Sequence, residues 1–279
     1  MNDSMTDPTP PIPAGDGLRC TRAGAVATLT IDRADRRNPL GLPGDGDWFA
    51  ATCAALNADP ALRVVVLTGA GSAFSAGGDL KAMRDRTGEF AGGPAEIVDR
   101  YRHGIHRLVR ALWDLELPLI AAVNGPAIGL GNDVACLADL RIAASDARFG
   151  ATFLKLGLVP GDGGAWLLPR VLGAARAAEL LFTGRVIDAA TAAEWGLVTA
   201  VVPPAELPAR TAALAAEIAA QPPLALRMTK RLLRAAVTAD FATVMDLSAE
   251  LQATAHGTAD HAEALAAFFA KRPPRFTGR

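Results

Sequence analysis

LIAAVNGPAIGLGNDVACLADLRIA, residues 119–143, is the stretch on which the reading of the fold turns. It opens on five apolar residues, Leu119–Val123. That run is short enough for a strand and apolar throughout, as strands buried on both faces are. A glycine-rich turn follows, Asn124 to Gly131, and then a segment of helical character that begins with Asn132 and Asp133. The pattern also occurs upstream, where Val64–Thr68 (VVVLT) leads into AFSAGGDL, residues 73–80. A third glycine cluster, VPGDGGAW, covers residues 159–166.

Working outward, the runs 25–31 (AVATLTI), 140–143 and 197–202 also read as strands, and helical patterns lie between them. Ile97, Tyr101, Ile105, Leu108 and Leu112 recur at helical spacing and predict one continuous helix. His103 and His106 fall in it at i and i+3, a spacing that suits a metal, but no third ligand is evident. Strand–helix alternation over about the first 200 residues predicts an α/β domain. Beyond Pro203-Pro204 the chain reads as almost purely helical, with breaks at Gln221-Pro222-Pro223, at Thr238-Ala239-Asp240 and near Gly257. The expected organisation is a flexible lead over residues 1–17, an α/β core over 18–203 and a helical region over 204–279. The apolar stripes of that last region cover either another subunit or the main domain.

Composition narrows the function. The 279 residues carry 28 Lys and Arg against 29 Asp and Glu, a formal net charge of −1. No basic excess marks a nucleic-acid binder. Hydrophobic residues make up 51%, ample for a buried core. Three cysteines and four histidines form no metal-binding or disulfide pattern, so no metal site is expected. The longest uncharged run, residues 117–132, is broken by two prolines and falls short of the roughly 20 apolar residues of a spanning helix. The acidic, Pro-rich N-terminus has neither the basic nor the apolar part of a signal peptide. A cytoplasmic protein, free of membrane, is the expectation.

Neither glycine turn reads as a Walker loop or as GxGxxG. Two strand–glycine–helix turns in one domain suggest instead a pair of backbone N–H donors aimed at one oxygen, an oxyanion hole. Taken with ARFG…LGLVPGDGG, LLFTGRVIDAATAAEWGLVTAVV and the closing FAKRP, these segments resemble, in this order, the enoyl-CoA hydratase/isomerase or crotonase superfamily. The resemblance implies a core of spiral ββα turns with a C-terminal helical trimerisation region, assembled as a homotrimer or homohexamer. It implies an acyl-CoA substrate and no cofactor beyond the coenzyme A of that substrate.

Carried over by position, the oxyanion donors are the amides of Gly78 and Leu130, the latter where many relatives have glycine. A leucine there is expected to narrow the pocket. Typical hydratases of the family use two glutamates. Here the first position is Asp133 and the second is Phe153, which transfers no proton. Asp162, in the PGDGG turn, is the other candidate acid/base, since some isomerase branches carry a working aspartate in or next to this turn. Each candidate has a plainer alternative. Asp162 is also placed to cap a following helix, Asp133 to face solvent, and Asp79 to cap the helix after the first turn. The resemblance places Arg36, Arg37, Leu40, Ala76, Gly77, Asp79, Leu80, Gly129 and Phe153 along the substrate, with Arg33, Lys81 and Lys271-Arg272 as further cations for the CoA phosphates.

The expected function is enoyl-CoA hydratase or isomerase chemistry, a thioester enolate stabilised while aspartates move protons. The rivals are dienoyl isomerisation, thioester hydrolysis and decarboxylation in the same hole, or a non-catalytic CoA-binding protein of the same fold.

Overall fold

The computed structural model describes residues 13–279, so most of the expected lead lies outside the described residues. Those of it that are described are tied down. The Trp48 indole donates to the Pro13 carbonyl at 2.9 Å, and the Asp32 amide to Gly17 O at 2.7 Å.

The five predicted strands join a sixth that the sequence reading missed, β1 (Leu18–Ala23), in one sheet: β1, β2 (Val26–Ile31), β3 (Val64–Gly69), β4 (Leu119–Val123), β6 (Leu140–Ala144) and β9 (Ala200–Val202), in that spatial order. β1 and β2 form an antiparallel hairpin; every other neighbour is parallel. A second sheet, β5 (Ala127–Ile128), β7 (Arg148–Gly150) and β8 (Val186–Asp188), stands beside it. The helices are α1 (Asp45–Ala58), α2 (Leu80–Asp85), α3 (Pro94–His103), α4 (Ile105–Trp113), α5 (Leu130–Leu137), α6 (Gly164–Leu172), α7 (Ala174–Thr183), α8 (Ala189–Glu194), α9 (Leu207–Ala219), α10 (Pro223–Ala235), α11 (Phe241–His256) and α12 (Ala259–Phe269).

The unbroken apolar runs of β3 and β4 follow from burial on both faces. Val65, Leu67, Leu119, Ala121 and Val123 enter the main core with Phe49 and Leu56 of α1 and Leu108 and Leu112 of α4. Val64, Val66, Ile120 and Ala122 point the other way, against Leu207 and Ala215 of α9. The helical region beyond residue 204 therefore begins with a helix that closes the back of the sheet. Further on, Leu233, Phe241, Met245, Leu265, Phe268 and Phe269 stay exposed. Among the described residues no helix is long and apolar enough to cross a membrane.

Two expectations are corrected. The predicted helix over Ile97 to Leu112 is two helices, broken at Gly104 (φ −102°, ψ −93°). The cause is the crossing with α1: a Cβ on Gly46 would fall 2.5 Å from the Gly104 carbonyl, so the backbones touch. His103 and His106 thus sit on different helices. The strand expected over 197–202 shortens to β9, while Leu197 and Val198 enter the core as loop residues.

Candidate active site

Both glycine turns lie at the carboxyl ends of parallel strands and run side by side. Ser75 donates its amide to Pro126 O at 3.0 Å and accepts from the Ile128 amide at 2.9 Å. Gly77 adopts φ +88°, and its carbonyl accepts from the Leu40 amide at 2.9 Å. A Cβ on Gly77 would meet Ile128 O at 2.6 Å and Leu130 N at 3.4 Å. Only glycine lets the two turns approach this closely. Gly129 (φ +54°, ψ −122°) turns the chain into α5, and Leu130, its first residue, has no intrahelical acceptor for its amide. Among the described residues the amides of Gly78 and Leu130 both lack an acceptor.

The Leu130 side chain does not narrow a pocket. It is buried in the core, where Gly41 leaves it room: a Cβ there would lie 3.3 Å from Leu130 Cδ2.

Asp133, in the first turn of α5, is wholly buried and does not face solvent. Its Oδ2 accepts from the Gly164 amide at 2.8 Å. A Cβ on Gly164 would strike that carboxylate at 2.5 Å, so the approach requires glycine. Asp162 is 4% exposed, and its Oδ1 has no hydrogen-bond partner among the described residues. It does not cap α6; Gly163 precedes that helix and no side chain caps it. Burial, then the nearby Asp162 carboxylate, pushes the Asp133 carboxyl up to about 8. Burial pushes Asp162 up to about 6. Both carboxyls therefore hold their protons to higher pH than an exposed aspartate, Asp133 more tightly than Asp162.

An open cleft of about 490 Å³ is walled by Leu80, Met83, Phe90, Ile97, Tyr101, Leu156 and Leu158, with Arg84 and Arg86 also on its lining. It adjoins the first turn through Met83, whose Cε lies 2.8 Å from the position a Gly78 Cβ would take. It adjoins the Asp162 turn through Tyr101, whose Cε1 lies 3.8 Å from a Gly161 Cβ position. The His106 ring packs edge-on against Tyr101, and its Nε2 lies 2.9 Å from the Gly161 carbonyl, holding that turn. Phe153 reaches toward Gly129, 3.9 Å from its Cβ position.

Other sequence candidates divide. Ala76, Arg36, Arg37 and Lys81 are exposed at or near the first turn. Asp79 is engaged as the N-cap of α2, accepting from Lys81 N at 2.9 Å and Ala82 N at 3.1 Å. The Leu40 side chain belongs to the core, so only its backbone serves the turn. Arg33 is not a phosphate ligand; it is buried in a bidentate pair with Asp45. Arg272 is held by Glu263. Sequence reading took Tyr101 only as part of a helical stripe and His106 only as half of a histidine pair without a third ligand, and so missed their place beside the Asp162 turn. It also missed Asn132.

Parallel strands that end in paired glycine turns, free amides at those turns and two buried carboxylates define a crotonase-type α/β enzyme. Residues 21–279 match the family described as enoyl-CoA hydratase/isomerase, and the chain belongs to that family. It is an acyl-CoA enzyme of the hydratase/isomerase type. It is 39% identical over 254 residues to 1,2-epoxyphenylacetyl-CoA isomerase of Escherichia coli strain K12, covering 91% of this chain and 95% of the relative. It is 36% identical over 226 residues to crotonyl-CoA hydratase of Syntrophomonas wolfei, covering 81% and 84%. The crystal structure of an enoyl-CoA hydratase from Bacillus anthracis superposes with a TM-score of 0.88 at 32% identity, over 95% of this chain and 100% of that one.

Proposed function

We propose that the enzyme moves the double bond of an enoyl-CoA thioester by proton transfer between two aspartates. The observation that carries this reading is the unpartnered, buried Asp162 Oδ1 near the wholly buried Asp133 carboxyl, with phenylalanine where hydratases place their second glutamate. The thioester oxygen of a 3-enoyl-CoA accepts from the Gly78 and Leu130 amides. The Asp162 carboxylate takes the proton from C2, and the electron pair moves into a dienolate whose charge the two amides hold. The Asp133 carboxylic acid gives its proton to C4, which leaves the 2-enoyl isomer. Proton exchange between the two carboxyls, directly or through water, restores the starting state. Preset donors of this kind are each worth about 3–4 kcal/mol of barrier. Arg36, Arg37 and the Ala76 backbone line the way for the CoA moiety, and Gly77, Leu80, Gly129 and Phe153 shape the acyl entrance.

A second reading concerns the acyl group. Phe90 and Tyr101 pack edge to face at 6.5 Å in the cleft wall, which suits a ring, and the Escherichia coli relative is named for a phenylacetyl-CoA epoxide. The exposed apolar face of α10–α12 supports assembly as a homotrimer or a dimer of trimers, which sedimentation velocity tests. The reaction is tested spectrophotometrically. Appearance of the conjugated thioester band from a linear or phenyl-bearing 3-enoyl-CoA is expected. Loss of that band from a 2-enoyl-CoA, with no turnover of the 3-enoyl isomer, identifies a hydratase and overturns the reading.

A further inference from the structure

Asn132 stands directly before Asp133 and is wholly buried, in a helix otherwise packed with Val134, Ala135 and Leu137. Its Nδ2 lies 3.4 Å from Asp133 Oδ1 and 4.0 Å from Cys136 Sγ. Its Oδ1 has no partner among the described residues. For packing alone this is a poor choice, because an aliphatic side chain fills the same space and leaves no buried carbonyl oxygen unbonded.

Proton transfer supplies the reason. In each turnover Asp133 exists both as an acid, which donates, and as a carboxylate, which only accepts. A partner that only donates, or only accepts, serves one of those states. A carboxamide carries a donor and an acceptor of nearly equal shape, and a half-turn about its terminal torsion exchanges them. We propose that Asn132 is a positioning residue for both protonation states of Asp133, its Nδ2 donating to the carboxylate and, after a half-turn, its Oδ1 accepting from the carboxylic acid. This rests on the two-aspartate reading above.

The surroundings agree. Burial pushes the Cys136 thiol up to about 12, so it remains a donor and also converges on the Asn132 oxygen in the turned state. From α6, the Gly164 amide supports the Asp133 carboxylate, and Asp162 on the preceding turn supports the acid. Arg141 faces Cys136 and makes no hydrogen bond to Asp133; its NH1 is spent on the Ala135, Cys136 and Ala138 carbonyls. Asn132 is then the one side chain bonded to Asp133 among the described residues.

A bond to the charged carboxylate is the stronger of the two. Removing both therefore favours the acid. The test is Asn132→Leu, with the Asp133 carboxyl followed by 13C NMR against pH and assigned by its disappearance in Asp133→Asn. The titration midpoint is expected to rise by about one pH unit. With the 3-enoyl-CoA substrate, kcat is expected to fall about tenfold while KM stays within about twofold. A midpoint equal to wild type overturns the proposal. So does an unchanged kcat where Asp133→Asn is inactive. Should Asn132→Leu fail to fold, Asn132→Ala carries the same expectations. Full activity in Asp133→Asn defeats the two-aspartate reaction, yet the carboxyl titration still decides whether Asn132 is the partner of Asp133.

Discussion

Two of the places where the molecule buries ionisable groups treat them in opposite ways. Between β2 and α1, Arg33 and Asp45 are 4% and 2% exposed and form a two-fold pair at 2.6 and 2.9 Å. The rest of the guanidinium donates to the Pro39 and Asp16 carbonyls, and Asp45 also accepts from the Leu42 amide. Here charge is cancelled and the donors are used. At the glycine turns two carboxyl groups, Asp133 and Asp162, are buried near one another; among the described residues no cation bonds to either, and Asp162 Oδ1 is left unbonded. The first arrangement holds chain together. The second leaves two groups whose protonation is easily changed, which destabilises the fold locally and suits proton transfer.

Three substitutions sharpen this contrast. The largest effect is expected at the Arg33–Asp45 pair. Arg33→Met strands a buried carboxylate and lowers unfolding stability by about 3–5 kcal/mol in urea titration. A loss below about 1 kcal/mol would show that the two buried sites do not differ as described.

Next comes Asp133→Asn, which acts in two directions. Turnover of 3-enoyl-CoA is expected to fall about 10²-fold or more. Stability is expected to rise above neutral pH. Folded Asp133 binds its proton up to about 8, whereas an unfolded aspartate releases it near 3.9. Between those values the native state holds more protons than the unfolded one, so wild-type stability falls as pH rises. The asparagine variant escapes that loss. Its thermal midpoint should exceed wild type by roughly 3 °C or more at pH 8 and match it near pH 4. An equal gap at both pH values would rule out ionisation as the cause.

The smallest effect belongs to Asp79→Ala. Loss of the α2 cap costs about 1 kcal/mol and moves calorimetric stability more than turnover.

The two strand–glycine–helix segments were legible because their chemistry is local. An apolar run followed by glycines reads the same in sequence as in space, and Asp79 reads as a cap for the same reason. The Gly104 break was not legible, because its cause is α1 pressing in from about 60 residues away. Arg33 looked like a free cation for the same kind of reason: its partners Asp45 and Asp16 meet it only in the fold. Asp162 read as a catalyst with capping as its plainer alternative until α6 was seen to start at Gly164. Asn132 carried no signal at all, since an orphaned oxygen exists only once its surroundings are packed.

The central claim is that two buried aspartates of opposite protonation move the proton. The most direct measurement is kcat/KM of Asp162→Asn with a 3-enoyl-CoA, read at the conjugated thioester band. A fall of about 10²-fold or more is predicted, with the variant folded by circular dichroism. Wild-type turnover in that variant would contradict the account.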